Sequence, residues 1–134
     1  MAIIEGTQAL KTYSGEYDFA VDGGAIGTIT LRATPGSQGP LPIGAIVEGG
    51  FIEVDTGFTT GTAATMALQV ESAGDLQAAT VVSGAPYSTT GRKAIVPVFT
   101  AATTIKTTAQ RSPVAVIATG TVTAGKLRVV LFYR

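Results

Sequence analysis

Short stretches in which apolar and polar residues alternate recur along most of the chain. A period of two is the pattern of a β-strand with one buried face. The clearest example places Met66, Leu68 and Val70 on one face of a single run. Similar alternation predicts further strands, at residues 17–21, 28–32, 46–56, 114–119 and 127–134.

Turn-forming residues separate these segments at short intervals, since the 134-residue chain contains 17 Gly and 6 Pro. No long stretch has a helical period, so consecutive strands are expected to run antiparallel. The sequence therefore predicts an all-β fold, an antiparallel β-sandwich that is jelly-roll-like and has about eight strands. A short immunoglobulin-like sandwich is the alternative, although its usual buried Trp is missing from this chain.

Several local features are expected within this sandwich. The turn Asp22-Gly23-Gly24 is expected to join the first two alternating segments as a hairpin, and Gly49-Gly50 is expected to form a bulge in the strand 46–56. Residues 75–79 are expected to form a single helical turn capped by Asp75. An edge position for the strands 46–56 or 126–134 would allow strand pairing between copies.

The length fits one domain, which the pattern assigns to residues 16–134, preceded by an N-terminal arm or irregular first strand at residues 1–15. Residues 1–5 contain no basic region followed by a long apolar run, and no apolar segment approaches the roughly 20 residues of a membrane helix. Neither a signal peptide nor membrane insertion is therefore predicted.

Charge is scarce and balanced in this chain. Nine basic and nine acidic residues give a formal net charge of zero, and charged residues make up 13% of the chain against 46% hydrophobic ones. A balanced charge does not provide the basic surface of a nucleic-acid-binding domain, so no nucleic acid partner is expected. Such low charge is unusual for a monomer in solution, so a partner is expected to cover part of the surface.

Candidate catalytic chemistry is limited because the chain contains neither His nor Cys. Imidazole bases, thiol nucleophiles and the commonest zinc ligands are excluded, and no Ser lies in a Gly-x-Ser-x-Gly motif. The alternating carboxylates of Glu16, Asp18 and Asp22, or of Glu53 and Asp55, are expected to form a solvated strand face. Calcium ligation is the alternative, without the EF-hand spacing that would support it. We predict no catalytic, cofactor-binding or metal-binding residue; a small hydrolase would need a pocket in which carboxylates converge.

Five residues are the candidate interface positions. Arg92 and Lys93 lie at the end of a predicted loop, residues 83–93, and Arg111 lies near a strand end, where long basic side chains reach carboxylates of a partner. Phe58 and Tyr87 also fall in predicted loops, where an exposed aromatic ring is a candidate interface anchor.

Four segments resemble a family of small structural proteins encoded among the head genes of tailed bacteriophages. The segments are YDFAVDGGAIGTITLR (17–32), LPIGAIVEGG (41–50), GTAATMAL (61–68) and TAGKLRV (123–129). These are strand and turn patterns rather than catalytic motifs. The chain thereby resembles capsid cement or decoration proteins.

The resemblance implies a β-sandwich on the outer surface of a phage head, commonly a trimer, that binds the major capsid protein and stabilises the assembled shell. It implies a location in the virion after synthesis in the host cytoplasm, and it requires neither an enzymatic activity nor a cofactor. The alternative is a host-adhesion or receptor-binding module of a phage fibre or tail, which would recognise glycan through residues 83–93.

Overall fold

The computed structural model describes residues 10–35, 37, 39–98 and 100–134, which form ten strands and one short helix. In chain order these are β1 (Lys11–Asp18), α1 (Phe19–Asp22), β2 (Gly27–Thr30), β3 (Arg32–Ala33), β4 (Ile46–Thr60), β5 (Thr65–Gln69), β6 (Gln77–Val81), β7 (Gly91–Ala94), β8 (Ile105–Lys106), β9 (Val114–Ala118) and β10 (Val122–Tyr133). No helix in the described part of the chain is long and apolar enough to cross a membrane.

The strands form two antiparallel sheets. Sheet A has the order β3-β1-β10-β4-β7, with β8 also paired to β4, and sheet B has the order β2-β9-β5-β6. The predicted antiparallel β-sandwich is confirmed, whereas the jelly-roll topology stays a prediction. Ten strands are found where about eight were expected, in part because β3 and β8 have two residues each, too few to show a period.

Inward side chains of both sheets share one core. Ile52 and Val54 of β4 and Leu127 of β10 meet Met66 and Leu68 of β5, and all five are almost completely buried. The alternation predicted for β10 is confirmed by its buried positions. In β5, Met66 and Leu68 are buried as predicted, but Ala67 between them is buried as well. Full burial of each such side chain contributes about 1.5–3 kcal/mol, so this alternation is the main determinant of which face points inward.

The predicted hairpin near the N-terminus is wrong. Strand β1 ends at Asp18, whose carboxylate accepts a hydrogen bond from Ala20 N and caps α1. Gly23 follows with a φ of 76°, a conformation that favours glycine, and the chain then crosses to sheet B. There β2 pairs with β9, so that only β3 returns to pair with β1.

The strands expected at an edge lie in the middle of sheet A. Strand β10 pairs with β1 on one side and β4 on the other, and β4 also pairs with β7 and β8. Neither long strand therefore lies at the edge of the sheet, although on the side of β7 and β8 the strand β4 is paired only at residues 46–47 and 51–54. The expected bulge lies beside Gly49, because Phe132 opposes Gly49 while Tyr133 opposes Val47, which leaves Glu48 as the extra residue.

Two further expectations concern local structure and chain division. The helical turn predicted at residues 75–79 is wrong: Asp75 closes a turn by accepting hydrogen bonds from the backbone N–H groups of Val70, Glu71 and Ser72, and β6 begins at Gln77. The division into an arm of residues 1–15 and a domain of residues 16–134 stays a prediction. Residues 1–9 lie outside the described residues, and β1 runs through residue 15.

Candidate interaction surface

The outward face of sheet B contains no charged side chain. None of the residues in β2, β5, β6 and β9 is Asp, Glu, Lys or Arg. The outward positions lie opposite one another in three rows across the sheet and carry small, β-branched or amide side chains: Thr28, Val116 and Ala67; Thr30, Val114 and Gln69; Ala118, Thr65 and Val81. We call this surface the uncharged face.

The outward face of sheet A is different, because two adjacent rows of residues cross β10, β4 and β7. One row is apolar and consists of Val130, Phe51 and Ala94, and the next consists of Arg128, Glu53 and Arg92. The Phe132 ring packs against the Phe51 ring with a centroid distance of 6.3 Å. We call the surface formed by Phe51, Glu53, Arg92, Arg128, Val130 and Phe132 the Arg-Phe patch.

Two guanidinium groups in this patch share one carboxylate. Arg128 Nη2 donates to Glu53 Oε2 at 2.8 Å, whereas Arg92 Nε lies 3.8 Å from the same oxygen, beyond hydrogen-bond distance. The Arg92 Cζ atom lies 4.9 Å from the centroid of the Phe51 ring, in a cation–π contact. The ring and the carboxylate therefore hold in place an Arg92 side chain that is 73% exposed.

The predicted basic pair lies on a strand rather than in a loop. Residues 91–94 form the edge strand β7, because they pair with Phe51–Val54 of β4. Consecutive strand residues point in opposite directions, so Arg92 and Lys93 do not share a surface. Lys93 Nζ donates to Thr89 Oγ1 at 2.8 Å, which ties this side chain to the preceding loop.

Arg111 contributes to a second group of polar contacts, distant in sequence from the patch. Its guanidinium binds both oxygens of Glu71, with Nε 2.9 Å from Oε2, and Thr108 also donates to Glu71. Hydrogen bonds from Arg111 and then from Thr108 lower the pKa of the Glu71 carboxyl group. The Arg111 side chain thus links two loops that are 40 residues apart in the sequence, through its contact with Glu71.

The predicted exposure of Phe58 and Tyr87 is wrong, since both side chains are buried in the core. Phe58 stacks on Tyr17 at a centroid distance of 5.6 Å and meets the edge of Tyr87 at 5.7 Å. The Tyr87 hydroxyl donates to the carbonyl of Met66 at 2.9 Å, and burial raises its pKa. The prediction that Phe58 and Tyr87 are interface anchors depended on exposed rings, and neither ring is exposed.

Two further carboxylates near sheet A, those of Glu16 and Asp22, are also paired with cationic side chains. Arg32 contacts Asp22 at 3.1 Å and Glu16 at 3.6 Å, and Lys126 lies 3.8 Å from Glu16. Burial raises the pKa of Asp22, but the hydrogen bonds from Arg32 and from Asp18 N outweigh it, and the net pKa is lowered. These acids hold the sheet together through contacts with cationic side chains.

A cleft of about 290 Å³ has two carboxylates in its lining and is therefore a candidate catalytic pocket. Its lining includes Glu71, Asp75 and Lys106. Glu71 is bound by Arg111, which lowers the pKa of its carboxyl group, whereas a general acid needs a raised pKa. The Asp75 carboxylate accepts hydrogen bonds from three backbone N–H groups and is used in closing its own turn. No group of three or more potential metal ligands is present among the described residues.

The sequence analysis named Arg92 as a candidate interface residue, which stays a prediction, and it did not name the residues that surround Arg92. The signal was present in the alternation of residues 126–134, which places Arg128, Val130 and Phe132 on the face opposite Leu127 and Leu131. What the sequence did not reveal is the partner strand, because β4 lies about 75 residues away, as the Glu53–Arg128 hydrogen bond shows. Apolar and charged rows became one patch only through that pairing.

Comparisons with known proteins reveal a shared fold. One solved chain, from the capsid asymmetric unit of the cyanophage Pam1, has 23% sequence identity and a TM-score of 0.59, over 92% of this chain and 83% of that chain. Another, from the acidic stable capsid structure of the Helicobacter pylori bacteriophage KHP30, has 13% identity and a TM-score of 0.60, over 93% and 86%. No family model matches this sequence, and no curated protein matches it.

Proposed function

We propose that this protein is a structural component of a phage capsid, a cement or decoration protein that binds the outer surface of the head and stabilises the assembled shell. The observation that carries this proposal is the fold, which extends over more than nine-tenths of the chain and is shared with chains from two phage capsid structures. The resemblance of residues 17–32, 41–50, 61–68 and 123–129 to cement proteins supports the same role.

The uncharged face also supports a role in assembly. A sheet face exposed to water usually carries polar and charged residues at alternate positions. Strand β9 instead has the sequence VAVIA, with apolar residues on both faces, as in strands that are covered on both sides. We infer that a neighbouring protein covers this face in the capsid and that the protein acts as a homotrimer, with the major capsid protein as its second partner.

Such a function requires no reaction. A protein that binds only the assembled shell stabilises that state by mass action, and many weak contacts on one lattice reinforce one another. The paired carboxylates of the cleft and the lack of His and Cys support a non-enzymatic role. The proposed location is the capsid surface of the virion, after synthesis in the host cytoplasm.

The test uses expanded empty heads that lack this protein. Purified protein is first measured by light scattering, and the heads are then heated with and without it. We expect a mass of three chains, saturable binding and a higher temperature of head disruption. A monomer that ignores heads but binds host cells or glycans would contradict the proposal and favour the adhesion module.

A further inference from the structure

We propose that the Arg-Phe patch is the contact of this protein with an acidic side chain of the capsid shell, with Arg92 as the residue that receives the carboxylate. This inference rests on the proposed function. It adds which surface of the sandwich meets the shell and what chemistry the shell must present there.

The arrangement of apolar and charged groups in the patch is that of a docking surface. Phe51, Val130 and Phe132 form a half-buried apolar centre, and Arg92, Glu53 and Arg128 lie along one side of it. Arg134 Nε donates to Glu48 at 2.6 Å near the other end of the same strands. An apolar centre with a charged rim is typical of protein interfaces, in which Arg and aromatic residues are enriched.

The hydrogen-bonding capacity of the two guanidinium groups is not filled. Within the part of the chain that the structure describes, the Arg92 side chain makes no hydrogen bond, although it contacts the Phe51 ring. Arg128 Nε is buried and likewise has no acceptor among the described residues. Arg128 has Glu53 and Glu16 opposite it on its two neighbouring strands, whereas Arg92, on the edge strand, has only Glu53 opposite it, 3.8 Å away. The Arg92 guanidinium is therefore the group that can bind a further carboxylate, through two parallel hydrogen bonds.

The carboxylates of this chain are largely engaged, which argues for a different protein as the donor of the acid. Glu16, Asp22, Glu48, Glu53 and Glu71 are ion-paired. Asp18 and Asp75 accept backbone hydrogen bonds. Asp55 is the remaining exposed acid within the described residues, so a second copy has little to offer the patch.

The position of Arg92 makes it accessible to a large partner. Strand β7 is at the edge of sheet A, and the Arg92 side chain points outward at the end of the charged row. A side chain that is already held in place loses little conformational entropy on binding. The shell residue is therefore expected to be Asp or Glu, next to an apolar side chain that covers Phe51 and Phe132.

The experiment measures binding of the full chain to empty heads that lack it, by sedimentation at increasing protein concentration. Arg92→Glu is expected to weaken binding by about 30-fold or more, and Arg92→Lys by about 5- to 10-fold, because Lys keeps the charge but loses the paired hydrogen bonds. Lys11→Glu makes the same change in net charge on β1 and is expected to change binding less than about 2-fold.

Each variant is also measured by light scattering and urea unfolding. A wild-type mass is expected for all of them, and Arg92→Glu is expected to fold with a small loss of stability, because it places a second carboxylate opposite Glu53 at a largely exposed position. Wild-type affinity of Arg92→Glu for heads would overturn the inference while leaving the proposed function intact. A lower solution mass of Arg92→Glu would assign the patch to contacts between copies and would also overturn it. If the wild-type protein itself fails to bind heads, both the proposed function and this contact are wrong.

Discussion

The two outward faces of the sandwich differ in the chemistry they present. The face of sheet A carries rows of paired Arg, Lys and Glu side chains around two Phe rings, whereas the four strands of sheet B contain no charged residue. The inward faces of both sheets contribute buried apolar residues to the same core. The two sheets therefore differ in their outward residues and not in the residues that form the core.

One small domain can therefore present two kinds of surface. Charged groups are costly to remove from water unless they are paired, so a face without them can be covered by a neighbour at little electrostatic cost. A face of paired charges instead gives orientation and selectivity to a contact. The uncharged face suits permanent burial, and the Arg-Phe patch suits recognition of a particular partner.

The greatest change in stability is expected when an aromatic side chain is removed from the core between the two sheets. Phe58→Ala is expected to lower the free energy of unfolding by about 3–5 kcal/mol, because the ring packs between Tyr17 and Tyr87 in the core. Phe51→Ala, on the outward face, is the matched control and is expected to cost about 1 kcal/mol. Urea unfolding measures both; equal losses would contradict the assignment of Phe58 to the core.

An intermediate effect is expected from the charged row of sheet A. Glu53→Ala leaves Arg92 and Arg128 facing each other without their shared carboxylate, and we expect a loss of about 1–2 kcal/mol in unfolding free energy. Thr28→Ala on the uncharged face is expected to change it by less than about 0.5 kcal/mol. Salt screens the repulsion between Arg92 and Arg128, so the loss of unfolding free energy in Glu53→Ala is expected to be smaller in 0.5 M salt. A loss that salt leaves unchanged would contradict this electrostatic explanation.

The smallest effect is expected in the dependence of stability on pH. The pKa of Asp22 is lowered in the folded protein, so its contribution is present above its unfolded pKa and is lost as the pH falls through the lowered value. Asp22→Asn is therefore expected to flatten the acid limb of stability against pH. Asp55→Asn, an exposed residue, is the control; identical profiles for the two variants would argue against the Arg32–Asp22 pair as the source.

At alkaline pH, stability is expected to fall as the pH rises, because the pKa of Tyr17 on the inner face of sheet A is raised. Burial, with Asp22 and Asp18 nearby, raises the pKa of Tyr17 to about 12. Stability linked to this hydroxyl group is full below its unfolded pKa near 10 and is lost as the pH rises toward 12. Near sheet B, the Tyr87 hydroxyl group donates to the carbonyl of Met66, and burial raises the pKa of this hydroxyl group as well.

Predictions from the sequence failed where a residue's environment depends on distant strands. The period through Ile52 and Val54 reaches Phe58, yet the adjacent Gly57 and the polar residues 59–62 favoured a turn. Space for the Phe58 ring exists only because Gly125 lies against it, where a Cβ atom would come within 2.4 Å of the ring. Tyr87 shows no period at all and is buried because its loop folds back onto Met66.

The antiparallel β-sandwich could be predicted from the sequence, because alternation and turn residues act over a few positions. The sequence also shows that residues 27–30, 65–69, 77–81 and 114–118 carry no charge. That these four segments form one sheet, and that Arg92, Phe51 and Arg128 lie close together, became visible only in the folded structure. Pairing between strands far apart in sequence depends on the packing of the whole core, which no local pattern specifies.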